Sequence, residues 1–427
     1  MSHPPETSAR AALMRDPNFR WLTAGGVVSM LGDQFTLLAL PWLVLRMTGD
    51  TRVLGLVLAL VSVPRAVFIL AGGAIVDRHS PYRVLMLTKF VNTALLGVLA
   101  LLVFTGSLTL PMVYVLALGI GLASAFSIPA ATSMLPSVVR PDQLATANSI
   151  MLGLRQLSMF VGPLLAGTMI ALFGDGGGVV SDAKGIGAAF ALDALSFAVS
   201  AWTQSRIRMH QGAAAQAHPT SVWRSIGEGL GHIGRDPELR TCFLYWAAVA
   251  VLIMGPVHIA LPVLASSQPG LGASALGLMV GAHGAGTLAG MVVSGSGLRL
   301  RLGTLGLTVL VMDAFIGLLF IPMGHVTAGW QGAGLMFSIG LLGGFMQVAI
   351  FTWMQQRVPR ALMGRAMSLF MFIFMGLVPL AAAATGWLMR SISLQQLFAG
   401  CGIALVVLAL VAAIASPMRR VRDPQPA

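Results

Sequence analysis

Three charged residues lie inside long apolar stretches of this sequence, where ionised side chains are costly. Asp33, Arg65 and Arg155 are each flanked on both sides by predominantly apolar residues. Charges at such positions usually face a polar cavity or an opposite charge. Asp33 can bind a cationic group or carry a proton, and Arg65 and Arg155 can pair with Asp33 or hold an anion. An ion pair with a purely structural role is the alternative for any two of them.

Further polar residues in apolar stretches are candidates for weaker roles. Gln34 can supply a neutral polar contact beside Asp33, and His258 can titrate near neutral pH. We expect Lys89, one to two turns inside its stretch, to snorkel to the membrane surface. The abundant Met, Phe and Leu residues suit an apolar, promiscuous pocket.

The composition requires that these residues are positioned by membrane-embedded elements. Of the 427 residues, 56% are hydrophobic and 9% are charged, whereas about a quarter of the residues in a soluble domain are charged. We therefore attribute the net charge of +12 to helix ends and predict no nucleic-acid partner. No P-loop and no recognised catalytic or metal-binding motif occurs, so we predict a protein that is not an enzyme and needs no cofactor or metal. A membrane enzyme, the alternative, would need converging acids or histidines, and these are scattered.

Twelve stretches are long enough to cross a bilayer as helices, which takes about 20 apolar residues. The sequence divides into an amino-terminal six-helix bundle (1–204), a central linker (205–235) and a carboxy-terminal six-helix bundle (236–427). The predicted spans are 20–45, 53–76, 84–105, 110–132, 145–172, 187–204, 240–265, 273–297, 303–322, 329–353, 365–388 and 395–415.

Lys and Arg residues indicate the orientation of these spans. With the amino terminus in the cytoplasm, nineteen of the 26 basic residues fall on the cytoplasmic side, four on the opposite side and three within spans. Cytoplasmic loops carry such an excess. We therefore predict that both termini and the central linker are cytoplasmic.

The two halves of the chain contain short matching segments. Residues 15–20 read Arg-Asp-Pro-Asn-Phe-Arg and residues 235–240 read Arg-Asp-Pro-Glu-Leu-Arg, an offset of 220 positions. Residues 39–43 and 260–264 share Ala-Leu-Pro near the end of a span, at an offset of 221. Because six spans separate the matches, the halves have the same orientation, as in transporters that bind substrate near the membrane midplane. A duplicated scaffold or receptor is the alternative.

Together, the twelve spans, the parallel repeat and the long central loop resemble the major facilitator superfamily. Between spans two and three, Gly73, Asp77, Arg78 and Arg83 are similar to the family's loop signature Gly-x-x-x-Asp-Arg-x-Gly-Arg-Arg/Lys, with Ser80 in place of the usual glycine. The resemblance implies an all-α membrane protein with two pseudo-symmetric six-helix bundles. It also implies that the Asp77–Arg78 loop latches the outward-facing conformation, the alternative being a solvated turn.

Two further segments resemble one branch of the family, which contains macrolide and enterobactin exporters. They are residues 31–35, Leu-Gly-Asp-Gln-Phe, and residues 140–149, which begin Arg-Pro-Asp-Gln-Leu. The arginine that the family carries in its fourth helix has no counterpart within 110–132, which weakens the case for proton coupling.

Span five contains a motif that resembles the antiporter signature Gly-x-x-x-Gly-Pro of the same family. Gly162, Pro163 and Gly167 match or extend this signature, and Ser158 replaces its first glycine. Proline bends a helix, and small residues allow a neighbouring helix to approach closely. Ordinary helix packing is the alternative explanation. The glycines of span eight supply a matching face, since helices five and eight meet in this family: Gly277, Gly281, Gly286 and Gly290.

The resemblance assigns lesser roles to two acids, because helices three, six, nine and twelve of this family usually lie outside the cavity. Asp193 in span six and Asp313 in span nine are therefore expected to satisfy packing contacts.

These observations predict a secondary transporter of the cell inner membrane that acts as a monomer. It would export a hydrophobic or amphipathic small molecule by alternating access, with protons as the coupling ion. An exporter of an anionic siderophore or lysophospholipid is the alternative within transport. A non-transporting membrane scaffold or receptor is the alternative outside it.

Overall fold

The protein is almost entirely α-helical in the parts that its structure, a computed structural model, describes: residues 13–78, 80–174, 183–207, 234, 236–296, 302–358 and 363–421. These ranges contain no strand. Helices are expected because a helix satisfies its own backbone hydrogen bonds inside a membrane. They are α1 (Pro17–Thr48), α2 (Thr51–Arg78), α3 (Pro81–Phe104), α4 (Leu110–Val138), α5 (Leu144–Phe173), α6 (Lys184–Ser205), α7 (Pro237–Ser267), α8 (Ala273–Gly295), α9 (Leu305–Phe320), α10 (Gly329–Arg357), α11 (Met363–Phe372, Ile373–Leu377 and Val378–Leu388) and α12 (Leu394–Ala415).

The lengths of these helices match the predicted spans. Within the described ranges, eleven helices are long and apolar enough to cross a membrane. The remaining predicted span, 365–388, corresponds to α11, whose apolar stretch Ile373–Leu388 is shorter. The predicted all-α membrane fold is confirmed, whereas the predicted linker 205–235 lies mostly outside the described residues.

The matching segments at the start of each half are helix caps. Asp16 accepts hydrogen bonds from the backbone N–H groups of Asn18 and Phe19 at 2.8 and 3.3 Å. Asp236 accepts from the N–H groups of Glu238 and Leu239 at 3.0 and 3.2 Å. In both segments a proline occupies the first helical position, where its missing N–H costs nothing. The repeated Asp-Pro pair therefore starts α1 and α7 by the same physical means.

The chain divides into two compact units. Unit 1 comprises Met1–Met47 and Val63–His218, and unit 2 comprises Thr48–Ser62 and Pro219–Ala427. In unit 1, α3 packs against α4 and α6, and α5 packs against α6. An apolar core that includes residues of α1, α3 and α4 lies in this unit, among them Phe19, Leu22, Leu85 and Met134.

In unit 2, α8 and α10 form the most extensive helix contact, and glycines allow it. A Cβ at Gly286 would overlap the carbonyl oxygen of Phe337, and one at Gly344 would overlap that of Thr287. Gly290 lies equally close to the α10 backbone at Leu341. The sequence suggested that Gly286 and Gly290 present a face to α5, but here they contact α10. Small residues permit close packing without specifying the partner.

In the described part of unit 2, two π-helical segments interrupt the helices. One is Ala250–Met254 in α7, just before Pro256, and the other is Ile373–Leu377 in α11, just before Pro379. A proline lacks an N–H donor and its ring crowds the preceding turn, which favours a local widening of the helix. The two π-helical segments contact one another.

Candidate functional site

The charged residues predicted from the sequence lie together in unit 1. Asp33, near the middle of α1, is exposed, as is Arg155 in α5, and Arg65 in α2 is partly buried. Asp33 interacts electrostatically with both arginines, and also with Lys89 of α3. One carboxylate with three neighbouring cations can bind a cation or proton only in competition with the protein's own positive charges.

The neighbouring residue Gln34 connects this charged patch to the antiporter-like motif. A Cβ at Gly162 would overlap Cβ and Cγ of Gln34, so this glycine lets α1 and α5 approach at the level of Asp33. Pro163 lies inside α5, and it is buried together with Gly162 and Gly167. The motif therefore has a packing role in unit 1.

The expectation that Lys89 snorkels to the membrane surface is wrong. Lys89 is 6% exposed. Its ammonium group donates to the hydroxyl of Ser29 on α1 at 2.8 Å and lies 4.9 Å from the ring centre of Phe197 on α6. It also interacts electrostatically with Asp33 and Asp193. Packing against these polar and aromatic groups replaces the water that a snorkelling lysine would reach.

Asp193 of α6 is the second carboxylate near this lysine. It is 1% exposed and accepts hydrogen bonds from the hydroxyl groups of Thr36 on α1 and Ser196 on its own helix. The packing contacts expected for Asp193 are thus present. The sequence did not predict that Asp193 also interacts electrostatically with Asp33 and Lys89.

A pattern of small residues along α1 is the signal that was missed. Gly25, Ser29, Gly32 and Thr36 recur at intervals of four, three and four residues, so they share one helix face. A Cβ at Gly25 would overlap Thr203, and one at Gly32 would overlap Ser196. Glycines and hydroxyls at this spacing, in register with polar residues of α6, indicate a polar helix contact inside an apolar chain.

The predicted gating residues are only partly described. Gly73, Asp77 and Arg78 lie in the last turns of α2, which extends through Arg78 and so makes this segment helical. Their side chains lie outside the described residues. Arg83 is exposed in the first turn of α3.

In unit 2, aromatic rings form a cluster that joins α7, α10 and α11. Trp246 lies 6.4 Å from Trp353 and 5.8 Å from Phe370, measured between ring centres. Phe370 also lies 5.1 Å from Phe351 and 4.6 Å from Phe374. The residues Phe351, Phe370 and Phe374 are partly exposed, which leaves area for a flat apolar group.

Two further predicted residues lie in the same unit. His258 is exposed on α7, one turn beyond the π-helical segment Ala250–Met254. Asp313 of α9 is 4% exposed and accepts a 2.9 Å hydrogen bond from the hydroxyl group of Tyr245 on α7. The expected packing contact of Asp313 is therefore present.

Apolar helices of span length that carry charged groups at mid-length are features of a multi-pass membrane transport protein. The family model of the Major Facilitator Superfamily matches residues 22–383. The chain belongs to this superfamily, and it is a transporter rather than an enzyme.

Efflux proteins are among its relatives. The multidrug efflux pump Tap of Mycobacterium tuberculosis is 27% identical over 413 residues, which cover 93% of each chain. Macrolide efflux protein A of Streptococcus pyogenes is 23% identical over 247 residues, 58% of each chain, which supports the predicted branch. The crystal structure of the nucleoside transporter NupG superposes with a TM-score of 0.70 at 13% identity, covering 95% of this chain and 99% of that one. This last likeness shows the fold alone.

Proposed function

We propose that this transporter exports hydrophobic or amphipathic cations across the inner membrane, in exchange for protons bound at Asp33. The observation that carries the proposal is an exposed carboxylate at the middle of an apolar helix, beside Arg65 and Arg155. An ionised acid at that depth is costly unless it faces a cavity or an opposite charge, and a carboxylate in such a place is suited to exchange a proton or a cation during the transport cycle. The efflux functions in the names of two relatives support the direction of transport.

The aromatic cluster of unit 2 supports the proposed substrate class. Partly exposed rings of Phe351, Phe370 and Phe374 offer apolar area, and a cation gains further from the electron-rich face of an aromatic ring. A flat, lipophilic cation suits the chemistry of these rings, and its charge is opposite to that of a deprotonated Asp33. Competition between such a cation and a proton for one carboxylate is the simplest physical basis for antiport.

The proposed transport cycle exposes the substrate alternately to the two sides of the membrane. Both termini are proposed to lie in the cytoplasm, because nineteen of the 26 basic residues then face it. We also propose that the protein acts as a monomer, that Asp77 and Arg78 contribute to gating, and that Gln34 and His258 contact the substrate.

An efflux assay in everted membrane vesicles tests this function. Ethidium serves as a fluorescent lipophilic cation, and transport is started by an imposed pH gradient with the vesicle lumen acidic. We expect the variant Asp33→Asn to lose at least about tenfold of the gradient-driven rate, because it cannot exchange a proton. Gel filtration of the purified variant checks that it remains folded.

The matched control is Asp50→Asn, in the loop between α1 and α2. The pKa of Asp50 lies below its usual value, mainly because the Arg52 side chain donates hydrogen bonds to the carboxylate. The distance between Nη2 of Arg52 and Oδ2 of Asp50 is 2.6 Å. Asp50 therefore stays ionised through the neutral pH range and cannot give a pH-dependent rate there. Ethidium efflux that is unchanged in Asp33→Asn would remove this residue from the mechanism.

An anionic amphiphile is the second candidate substrate, favoured by the three cations near Asp33. A fluorescent lysophospholipid assayed in the same vesicles distinguishes the two candidates. If the vesicles transported the lysophospholipid and not ethidium, and if Arg155→Gln lost that transport, the substrate would be the anionic amphiphile and not the cation.

A further inference from the structure

The buried ammonium group of Lys89 is held between two helices that each carry a carboxylate. On α1 it contacts Ser29, one turn before Asp33, and on α6 it contacts Phe197, one turn after Asp193. Residues four positions apart lie on the same helix face. Lys89 interacts electrostatically with both carboxylates.

The two carboxylates differ in how they are stabilised. Asp193 is buried, which disfavours its charged form, but it accepts hydrogen bonds from Thr36 and Ser196, which favour that form. Asp33, in contrast, is exposed in unit 1. Hydrogen bonds to a charged form stabilise it. One acid is thus buried with fixed hydrogen-bond donors and the other is exposed, and the same ammonium group interacts with both.

We propose that the buried residues Lys89 and Asp193 together set the proton affinity of Asp33. When Asp33 is ionised, Lys89 compensates its charge, and when Asp33 is protonated or bound to a cation, Asp193 keeps the ammonium compensated. The pair is a positioning and tuning device that does not itself contact the substrate. This inference rests on the proposed proton exchange at Asp33.

Other charged groups around Asp33 leave this assignment intact. Arg65 on α2 and Arg155 on α5 also interact with Asp33, but Asp193 acts on Lys89 and Asp33 together. The neighbouring helix α4 (Leu110–Val138) carries no acidic or basic residue. Removing Lys89 or Asp193 therefore changes the field at Asp33 with opposite signs.

Carbodiimide labelling tests the proposal without a transported substrate. Dicyclohexylcarbodiimide reacts with a protonated carboxyl group in apolar surroundings, so the extent of labelling at Asp33 falls as pH rises. Peptide mass spectrometry of full-length protein in membrane vesicles gives the pH of half-maximal labelling. The variants are Lys89→Met, Asp193→Asn and the double variant.

The expected signature is a pair of opposite shifts. Lys89→Met removes a cation and favours the protonated form of Asp33, so its labelling midpoint moves about one pH unit to the alkaline side. Asp193→Asn leaves Lys89 to act on Asp33 alone, so that midpoint moves to the acidic side by a similar amount. The double variant returns to within about half a unit of the wild type.

Each single variant tests the proposal by itself, through the sign of its shift. The test therefore still works if only one of the variants inserts stably into the membrane. Shifts in the same direction, or no shift, would reduce Lys89 and Asp193 to structural residues. Because no substrate is used, opposite shifts combined with absent ethidium efflux would uphold this pair and overturn the proposed transport function. Normal ethidium efflux without any shift of the labelling midpoint would uphold the transport function and overturn the role of Lys89 and Asp193.

Discussion

At the residue scale, the cap of α7 combines a hydrogen-bonding role with an ion pair. Asp236 accepts two backbone hydrogen bonds and lies 2.9 Å from Nη2 of Arg357, the last residue of α10. Arg357 also lies 3.6 Å from Glu238. The side chains of Arg357 and Asp236 are 43% and 20% exposed, so solvent screens the pair and most of the stabilisation should come from the cap.

Substitutions at position 236 separate these two contributions. We expect Asp236→Ala to lower the thermal unfolding midpoint by about 2–4 °C, because loss of a cap costs about 1 kcal/mol. Asp236→Asn retains an oxygen acceptor at the cap and should lower the midpoint by less than about 2 °C. Tryptophan fluorescence of detergent-purified protein during heating measures both.

Arg357→Gln is the matched control, since it removes the ion pair and leaves the cap intact. It should behave as Asp236→Asn does. If Asp236→Asn and Arg357→Gln were both as unstable as Asp236→Ala, the ion pair and not the cap would supply most of the stabilisation.

The charged residues also show how far single residues could be predicted. Asp33, Arg65 and Arg155 were found because a charge in an apolar stretch needs a polar partner, and they do interact electrostatically. Lys89 was misjudged because its depth alone is compatible with snorkelling. Its rotamer and the position of Ser29 on another helix decide the outcome, and neither is a local property of the sequence.

At the element scale, glycine position determines how closely two helices approach. In α10, Gly344 faces the backbone of Thr287 on α8, whereas a Cβ at the adjacent Gly343 would have no atom within 4 Å. The two neighbours thus differ in packing although they share a helix and a residue type. Added volume at the tight position must displace backbone.

Alanine substitutions at these two positions test the packing directly. We expect Gly344→Ala to lower the unfolding midpoint by roughly 4–8 °C, the effect of about 2 kcal/mol of overpacking. Gly343→Ala should leave the midpoint unchanged or raise it, because alanine favours a helix by up to about 1 kcal/mol. Equal effects at both positions would contradict the close contact of α8 with α10.

Element boundaries were predictable, whereas element partners were not. Twenty-residue apolar runs are local patterns, so the spans followed from them, although α1 and α7 begin three residues before the predicted spans, at the prolines of their Asp-Pro caps. The contact of Gly286 with α10 did not follow, because a small face accepts several neighbours. The paired π-helical segments before Pro256 and Pro379 were not predicted either, because they depend on the packing of α7 with α11.

At the scale of the whole molecule, the distribution of charge defines an expected orientation. The loop between α3 and α4, at residues 105–109, contains no Lys or Arg, whereas the segment after α8 contains Arg299 and Arg301. Ser107 and Ser296 are exposed in these two loops. Positive residues remain in the cytoplasm during insertion, so the two serines should lie on opposite sides of the membrane.

Cysteine labelling tests this orientation. In a background with Cys242→Ala and Cys401→Ala, the variants Ser107→Cys and Ser296→Cys are treated with a membrane-impermeant maleimide. We expect Ser107→Cys to be labelled in intact cells and Ser296→Cys only in everted vesicles, where the cytoplasmic face is accessible. The reversed pattern would place both termini outside the cytoplasm. The direction of the proposed exchange would not change with it, because the proton gradient drives an antiported substrate opposite to the protons in either orientation of the protein.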